Sequence, residues 1–216
     1  METLTKAIVQ AGWSNRILTE AQLARLLDGT PQRRYNLVNR ALHRGELVRL
    51  KRARYLLAPG LAGQLPHPFV LAQALRPGSY VSMESALSYH GWIPEAVPLT
   101  LSVTPGRRGE EIATNEMGTL RYYPLALNRG YFLEGVDRIV LTGQVALLAQ
   151  PLRALLDRFC LHKQEWPGLD ALRLGMRIEE EALATIRAES LESLRQIYKH
   201  QRMQRLIDQM QEEISQ

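Results

Sequence analysis

Residues 58–68 read Ala-Pro-Gly-Leu-Ala-Gly-Gln-Leu-Pro-His-Pro, with three prolines and two glycines. Proline fixes its own φ and donates no amide, and glycine gives up the most backbone freedom on ordering. Such a stretch disfavours helix and strand alike, so it divides the chain. The expected units are 1–62 and 68–216, the second with a helical tail from about residue 166. The 216 residues, 45% of them apolar, suffice for a core in each piece.

The two pieces differ in charge. Residues 1–60 carry 11 Lys/Arg and 4 Asp/Glu, a net of +7. Residues 61–216 carry 16 and 18, a net of −2. Basic charge gathered in one small module is the electrostatic footprint of a nucleic-acid binder. Of the 27 cations 23 are Arg. Arg is the better bidentate reader of phosphate and guanine edges, and GC-rich codon usage gives the same excess. Codon usage does not explain the lopsided placement.

The first piece reads as three helices and a hairpin. Leu4, Ala7, Ile8 and Ala11 recur at helical spacing and Gly12 ends the run. Thr19-Glu20-Ala21-Gln22 is a capping box, and Leu23, Leu26 and Leu27 supply that helix's buried face. After Asp28-Gly29, Thr30-Pro31 opens a third helix running to about Arg44. On its wheel Tyr35, Leu37, Val38, Ala41 and Leu42 share one side, and Arg34 falls among them. Arg33, Asn36, Arg40, His43 and Arg44 share the other. Leu47-Val48-Arg49-Leu50 and Tyr55-Leu56-Leu57-Ala58 read as strands joined by Lys51-Arg52-Ala53-Arg54. This order is that of a winged helix-turn-helix: a capped helix, a short Gly turn, a polar-faced helix for the major groove and a basic hairpin beside it. Arg33, Asn36 and Arg40 are the candidates for base edges; Arg34, Arg44, Lys51, Arg52 and Arg54 are the candidates for phosphate. The plainer alternative is a three-helix packing unit whose charges face water.

The second piece alternates. Residues 69–75 read as a helix, Tyr80-Val81 as extended, and Ser82 as the cap of a helix through Tyr89 that ends at His90-Gly91. Strands are expected at 99–103, 119–123, 130–133 and 138–141, then a helix over 149–161 with Pro151 in its first turn. Glu110-Glu111 reads as solvated charge and Asp157 as a structural partner for an Arg or amide. The tail places Met203, Leu206, Ile207, Met210 and Ile214 at three- and four-residue steps, a stripe for a dimer seam or for docking on its own unit. The fold class is α+β: a winged helix-turn-helix, then a small mixed α/β domain with a helical tail.

Tyr80-Val81-Ser82, Ser85-Ala86-Leu87 and His90-Gly91 together resemble the start of the C-terminal domain of AbiEi-type antitoxins of type IV toxin–antitoxin (abortive infection) systems. Leu99-Thr100-Leu101-Ser102-Val103, with the loop Thr104-Pro105-Gly106-Arg107-Arg108-Gly109, is similar to that domain's next element. Ala149-Gln150-Pro151 and Ala154-Leu155-Leu156-Asp157 resemble its Ala-x-Pro…Ala-Leu-Leu-Asp helix. The likeness covers about 1–160. Two departures stand out: Ala53 sits at the hairpin tip where such modules often carry Gly, and Leu152-Arg153 replaces a Glu-Lys-like pair. The resemblance implies an autorepressor that binds promoter repeats as double-stranded DNA, with a homodimer on DNA as an option. It also implies an antitoxin, in phage defence, that counteracts a nucleotidyltransferase toxin, with direct contact left open.

Enzyme motifs are missing. There is no G-x-x-x-x-G-K loop, H-E-x-x-H or C-x-x-C, and Gly78-Ser79 is not followed by Asp-x-Asp. The five histidines and five aspartates are scattered, and no Lys follows a carboxylate by two residues. Catalytic residues, metal ligands and cofactors are therefore expected to be none. Arg107-Arg108, between Gly106 and Gly109, is a possible second basic site for phosphate, RNA or an acidic partner. Other readings are a ligand-sensing regulator, which requires an apolar pocket with convergent polar groups, and a protein-binding adaptor. The start Met1-Glu2-Thr3-Leu4-Thr5-Lys6 does not read as a leader, no apolar run approaches the roughly 20 residues of a membrane span, and Cys160 is single. A cytoplasmic location is expected.

Overall fold

The computed structural model describes residues 4–114 and 117–215; the first three residues of the stretch read for a leader lie outside them. The fold is mixed α and β, with eleven helices and two sheets among the described residues. The chain begins α1 (Leu4–Gln10), β1 (Leu18–Thr19), α2 (Glu20–Leu26), α3 (Pro31–His43), β2 (Leu47–Lys51), β3 (Arg54–Leu57). The strands form an antiparallel sheet in the order β1-β3-β2. Local chemistry sets these elements. The Thr19 hydroxyl accepts the Gln22 amide while the Gln22 side chain accepts the Thr19 amide. Thr30 caps α3 through the Arg33 amide, and Pro31 opens it where no amide is needed. Leu4, Ile8, Leu18, Leu23, Val38, Ala41, Leu47 and Leu57 close a core of their own.

The boundary stretch is less irregular than its composition predicts. Pro59–Ala62 forms a helical turn, α4, because Pro59 stands at the first helical position, and the Leu61 and Ala62 amides reach the Ala58 carbonyl. Then follow α5 (Pro68–Leu75), β4 (Tyr80–Val81), α6 (Met83–Tyr89), β5 (Leu99–Thr104), β6 (Glu110–Thr114), β7 (Gly118–Pro124), β8 (Val136–Leu141), β9 (Gln144–Ala149) and α7 (Pro151–His162). Their strands make a mixed sheet in the order β6-β7-β5-β4-β9-β8. Strand alternation puts Leu120 and Tyr122 against α5 and turns Arg121 and Tyr123 to the α7 side. The tail is α8 (Leu169–Gly175), α9 (Glu180–Leu183), α10 (Ala188–Arg195) and α11 (Gln201–Ile214).

Four sequence expectations change here. Residues 130–133 form turns, not a strand: Gly130 and Gly135 have φ of +90° and +67°, and the Phe132 and Glu134 carbonyls point at Arg153. Glu110-Glu111 is not free solvated charge but the start of an edge strand, with Glu111 paired to its cross-strand neighbour Arg121 at 2.5 Å. Strand β9, which is not among the strands expected from the sequence, lies parallel to β4 with Ala146 and Leu148 buried on one face and Val145 exposed on the other. Ser82 stands at the N-cap of α6, but its hydroxyl donates to Asp157 rather than capping. The α11 stripe is also settled: Met203, Leu206, Ile207 and Met210 are buried in the chain's own main core and do not offer a dimer seam. No helix among the described residues is long and apolar enough to cross a membrane.

At the centre of this core Arg153 and Asp157, one helical turn apart on α7, are both 0% exposed. Asp157 accepts from Arg153 Nε at 3.0 Å, Tyr198 at 2.8 Å, Tyr80 at 2.9 Å and Ser82 at 2.8 Å. The guanidinium also donates to Tyr80 and to the Glu134 and Phe132 carbonyls. Burial, reinforced by the Asp157 charge, pushes the Tyr80 and Tyr198 phenols well above their usual range; burial does the same for Tyr122. A phenol raised in the folded state contributes stability that is whole below the unfolded pKa, about 10, and is lost as pH rises toward the folded value. Base titration is therefore expected to unfold the chain above about pH 10. Phenolate absorbance from Tyr80, Tyr122 and Tyr198 should appear together with the loss of circular dichroism. In Tyr198→Phe one phenol should be missing from that step; early, unfolding-independent ionisation of all three would refute the assignment.

Candidate nucleic-acid interface

The α3 face is set by its wheel. Val38 and Ala41 are buried, Leu37 and Leu42 are half-buried, and Arg33, Asn36, Arg40, His43 and Arg44 are exposed. Tyr35 departs from the apolar side expected for it and is 59% exposed, extending the open face. Arg34 is half-buried, its guanidinium folded back on the Gly29 carbonyl at 2.8 Å.

The hydrogen bonds of these side chains are local. Arg33 donates to the Asp28 carbonyl at 3.0 Å, Arg40 to the Asn36 carbonyl at 3.4 Å, and Gln32 to the Asn36 side-chain oxygen at 3.2 Å. None of Arg33, Arg34 or Arg40 lies within 4 Å of a carboxylate among the described residues; Arg44 meets Glu46 only at 3.9 Å. The helix thus presents a cationic, amide-bearing surface whose charge is not spent internally.

The hairpin turns at Arg52-Ala53. Ala53 adopts φ +57°, the left-handed conformation in which Gly is cheapest, so the turn forms there without Gly. Among the described residues Arg52 is exposed and unpaired, and Arg54 donates only to the Ala53 carbonyl, at 3.0 Å. Lys51 differs from its expected role. Its ammonium is held by Glu110 of the second unit at 2.5 Å, and Arg76 reaches the same carboxylate at 2.7 Å. The Lys51 ammonium, with Arg76 behind it and partial burial opposing, keeps Glu110 below the usual carboxylate range.

The two units meet through Ile17 and Leu50 packed on Leu71, Leu75, Leu120 and Tyr122. Beside this seam an open cleft of about 650 Å³ is lined by Arg16, Arg25 and Arg54, with Gln22, Gln73 and Gln144 and, among the described residues, no carboxylate. Arg16 and Arg25 were not singled out in the sequence. Arg16 precedes β1 and Arg25 lies in the last turn of α2, and their one signal in the sequence is membership of the basic first quarter. Arg107 and Arg108 stand exposed on the loop between β5 and β6, without a carboxylate partner among the described residues. No group of three or more His, Cys, Asp or Glu suited to a metal occurs among the described residues. Burial pushes the Cys160 thiol up to about 11, which keeps it as a core side chain.

No protein-family model matches the chain, and no curated protein matches it.

Proposed function

We propose that the first unit is a winged helix-turn-helix, that α3 enters the major groove of duplex DNA, and that the chain is a transcriptional autorepressor. One observation carries the reading: an exposed helix face bearing Arg33, Asn36 and Arg40 with no acidic member and, among the described residues, no ion-pair partner. A merely solvated face gains nothing from leaving arginines unpaired beside one another, whereas a phosphate- and base-reading face requires it. Arg52 at the hairpin tip then lies beside the groove as a phosphate contact. The second role is that of an antitoxin against a nucleotidyltransferase toxin, acting in the cytoplasm. It rests on the resemblance of the segments around Tyr80, Ser85, Leu99 and Pro151 to AbiEi-type antitoxins, and no catalysis is assigned to the chain.

The DNA reading is tested by titrating the chain against its own promoter duplex at several salt concentrations. Affinity should fall steeply with salt, and Arg52→Ala should flatten the slope of log K against log salt by about one unit on every sequence. Salt-independent or absent binding by the unaltered chain rejects the reading. The antitoxin role is tested by looking for a nucleotidyltransferase reading frame next to this one and co-expressing the two, where restored growth is expected; absence of such a frame, or unrelieved toxicity, rejects the role.

A ligand-sensing regulator is the second reading, favoured by one feature. A mostly apolar cleft of about 430 Å³ lies between the sheet and α7, floored by Ile93, Val97, Leu99, Leu101 and Met176, with Arg121 and Arg158 at its edge. Release from DNA on adding a small molecule distinguishes it.

A further inference from the structure

The loop between β5 and β6 is built, not slack. Arg76 spends its guanidinium on holding it: Nε donates to Thr104 Oγ1 at 2.9 Å, one terminal nitrogen to Glu110 at 2.7 Å, and the other to the Arg108 carbonyl at 3.1 Å. Of the flanking glycines, Gly109 lies tight against backbone, while Gly106 faces the movable end of Arg76. A Cβ at Gly106 would meet Arg76 Nη2 at 2.8 Å, and one at Gly109 would meet the Tyr122 carbonyl oxygen at 3.0 Å. With its backbone tied down on one side, the loop presents Arg107 and Arg108 to solvent on the other.

The same carboxylate ties the loop to the hairpin. Lys51 sits on Glu110, Glu110 on Arg76, and Arg76 on the Arg108 carbonyl. Lys51, Arg52, Arg54, Arg76, Arg107 and Arg108 therefore gather about one edge of the molecule, and Glu110 is the one carboxylate any of them touches among the described residues. Glu110 neutralises only the two cations that are already fixed. The three exposed arginines, Arg52, Arg107 and Arg108, keep their charge for a polyanion.

We infer that Arg107 and Arg108 hold backbone phosphates of the same duplex that the hairpin grips, so that the second unit lengthens the DNA footprint. The inference rests on the DNA-binding reading above. A duplex lying against Arg52 passes the loop that Lys51 and Glu110 dock beside it. Two exposed guanidiniums on a fixed platform suit the regular spacing of phosphates, and they carry no base preference.

The test is anisotropy of the full chain with a random-sequence duplex three helical turns long, across about 50 to 200 mM salt. The double variant Arg107→Ala with Arg108→Ala should flatten the salt slope by about two units and leave the melting temperature unchanged. Lysine at both positions should restore the slope, because point charges suffice for phosphate. A slope equal to that of the unaltered chain in the alanine variant, while that chain binds strongly, overturns this inference and leaves the DNA reading standing. Absence of salt-dependent binding in the unaltered chain removes both.

Discussion

Asp157→Ala should destabilise the protein by about 3–5 kcal/mol, the usual cost of removing one partner from a buried ion pair. Both partners are completely enclosed, so water cannot replace the missing carboxylate. The substitution strands the Arg153 guanidinium together with the hydroxyls of Tyr80, Tyr198 and Ser82, all of which donate to Asp157. Burial lowers the Arg153 pKa and Asp157 opposes that in the native protein; without Asp157 the guanidinium, which is not deprotonated in proteins, still has no neutral form to retreat to. Arg153→Met is expected to cost less, since Met fills part of the volume and Asp157 keeps three hydroxyl donors. The double variant Arg153→Met with Asp157→Leu should recover only part of the loss, because each stranded buried hydroxyl still costs about 1–3 kcal/mol. Urea midpoints at constant slope measure all three. A loss below about 1 kcal/mol for Asp157→Ala would show the cluster to be hydrated or mobile instead of a closed electrostatic core.

That cluster shows where reading the sequence runs out. Asp157 was legible as a structural partner because a lone aspartate on an apolar-sided helix needs one. Its other partners, Tyr80 on β4, Ser82 just after it and Tyr198 in the tail, lie between 41 and 77 residues away, while the 130–135 turns reach only Arg153. No local pattern announces such pairings. The same reason accounts for residues 130–133: Tyr131-Phe132-Leu133 has strand-like composition, but the Tyr131 and Leu133 carbonyls close turns to the Glu134 and Val136 amides, and the Phe132 and Glu134 carbonyls face Arg153, which overrides propensity. Elements fixed by their neighbours in sequence were legible. The Thr19 capping box, the Thr30-Pro31 start of α3 and the β2–β3 strands all rest on interactions within a few residues. The candidate interface follows the same division. The basic α3 face could be read from a wheel, whereas the capture of Lys51 by Glu110, and the placing of Arg107 and Arg108 beside the hairpin, depend on how the second unit docks.

Replacing Arg33 and Arg40 together by alanine should abolish discrimination between the promoter duplex and a scrambled one, while folding is retained. The two residues are seven positions apart on α3, so they project from one face about 10 Å apart, roughly three base-pair steps, with Asn36 between them. Removing a bidentate Arg–base pairing costs about 1–3 kcal/mol of discrimination, a factor of roughly 5 to 150 per position. Stability should move by no more than about 0.5 kcal/mol, because both side chains are exposed and their bonds go to carbonyls that water can satisfy. At Arg33 the change is favourable locally, since a cation in the first helical turn opposes the helix dipole. Gel-shift titration on the two duplexes separates the readings. If α3 reads bases, the promoter loses far more affinity than the scrambled duplex. If the arginines hold phosphate only, both duplexes weaken in parallel. If the face is merely solvated, neither changes, and α3 is not the recognition helix.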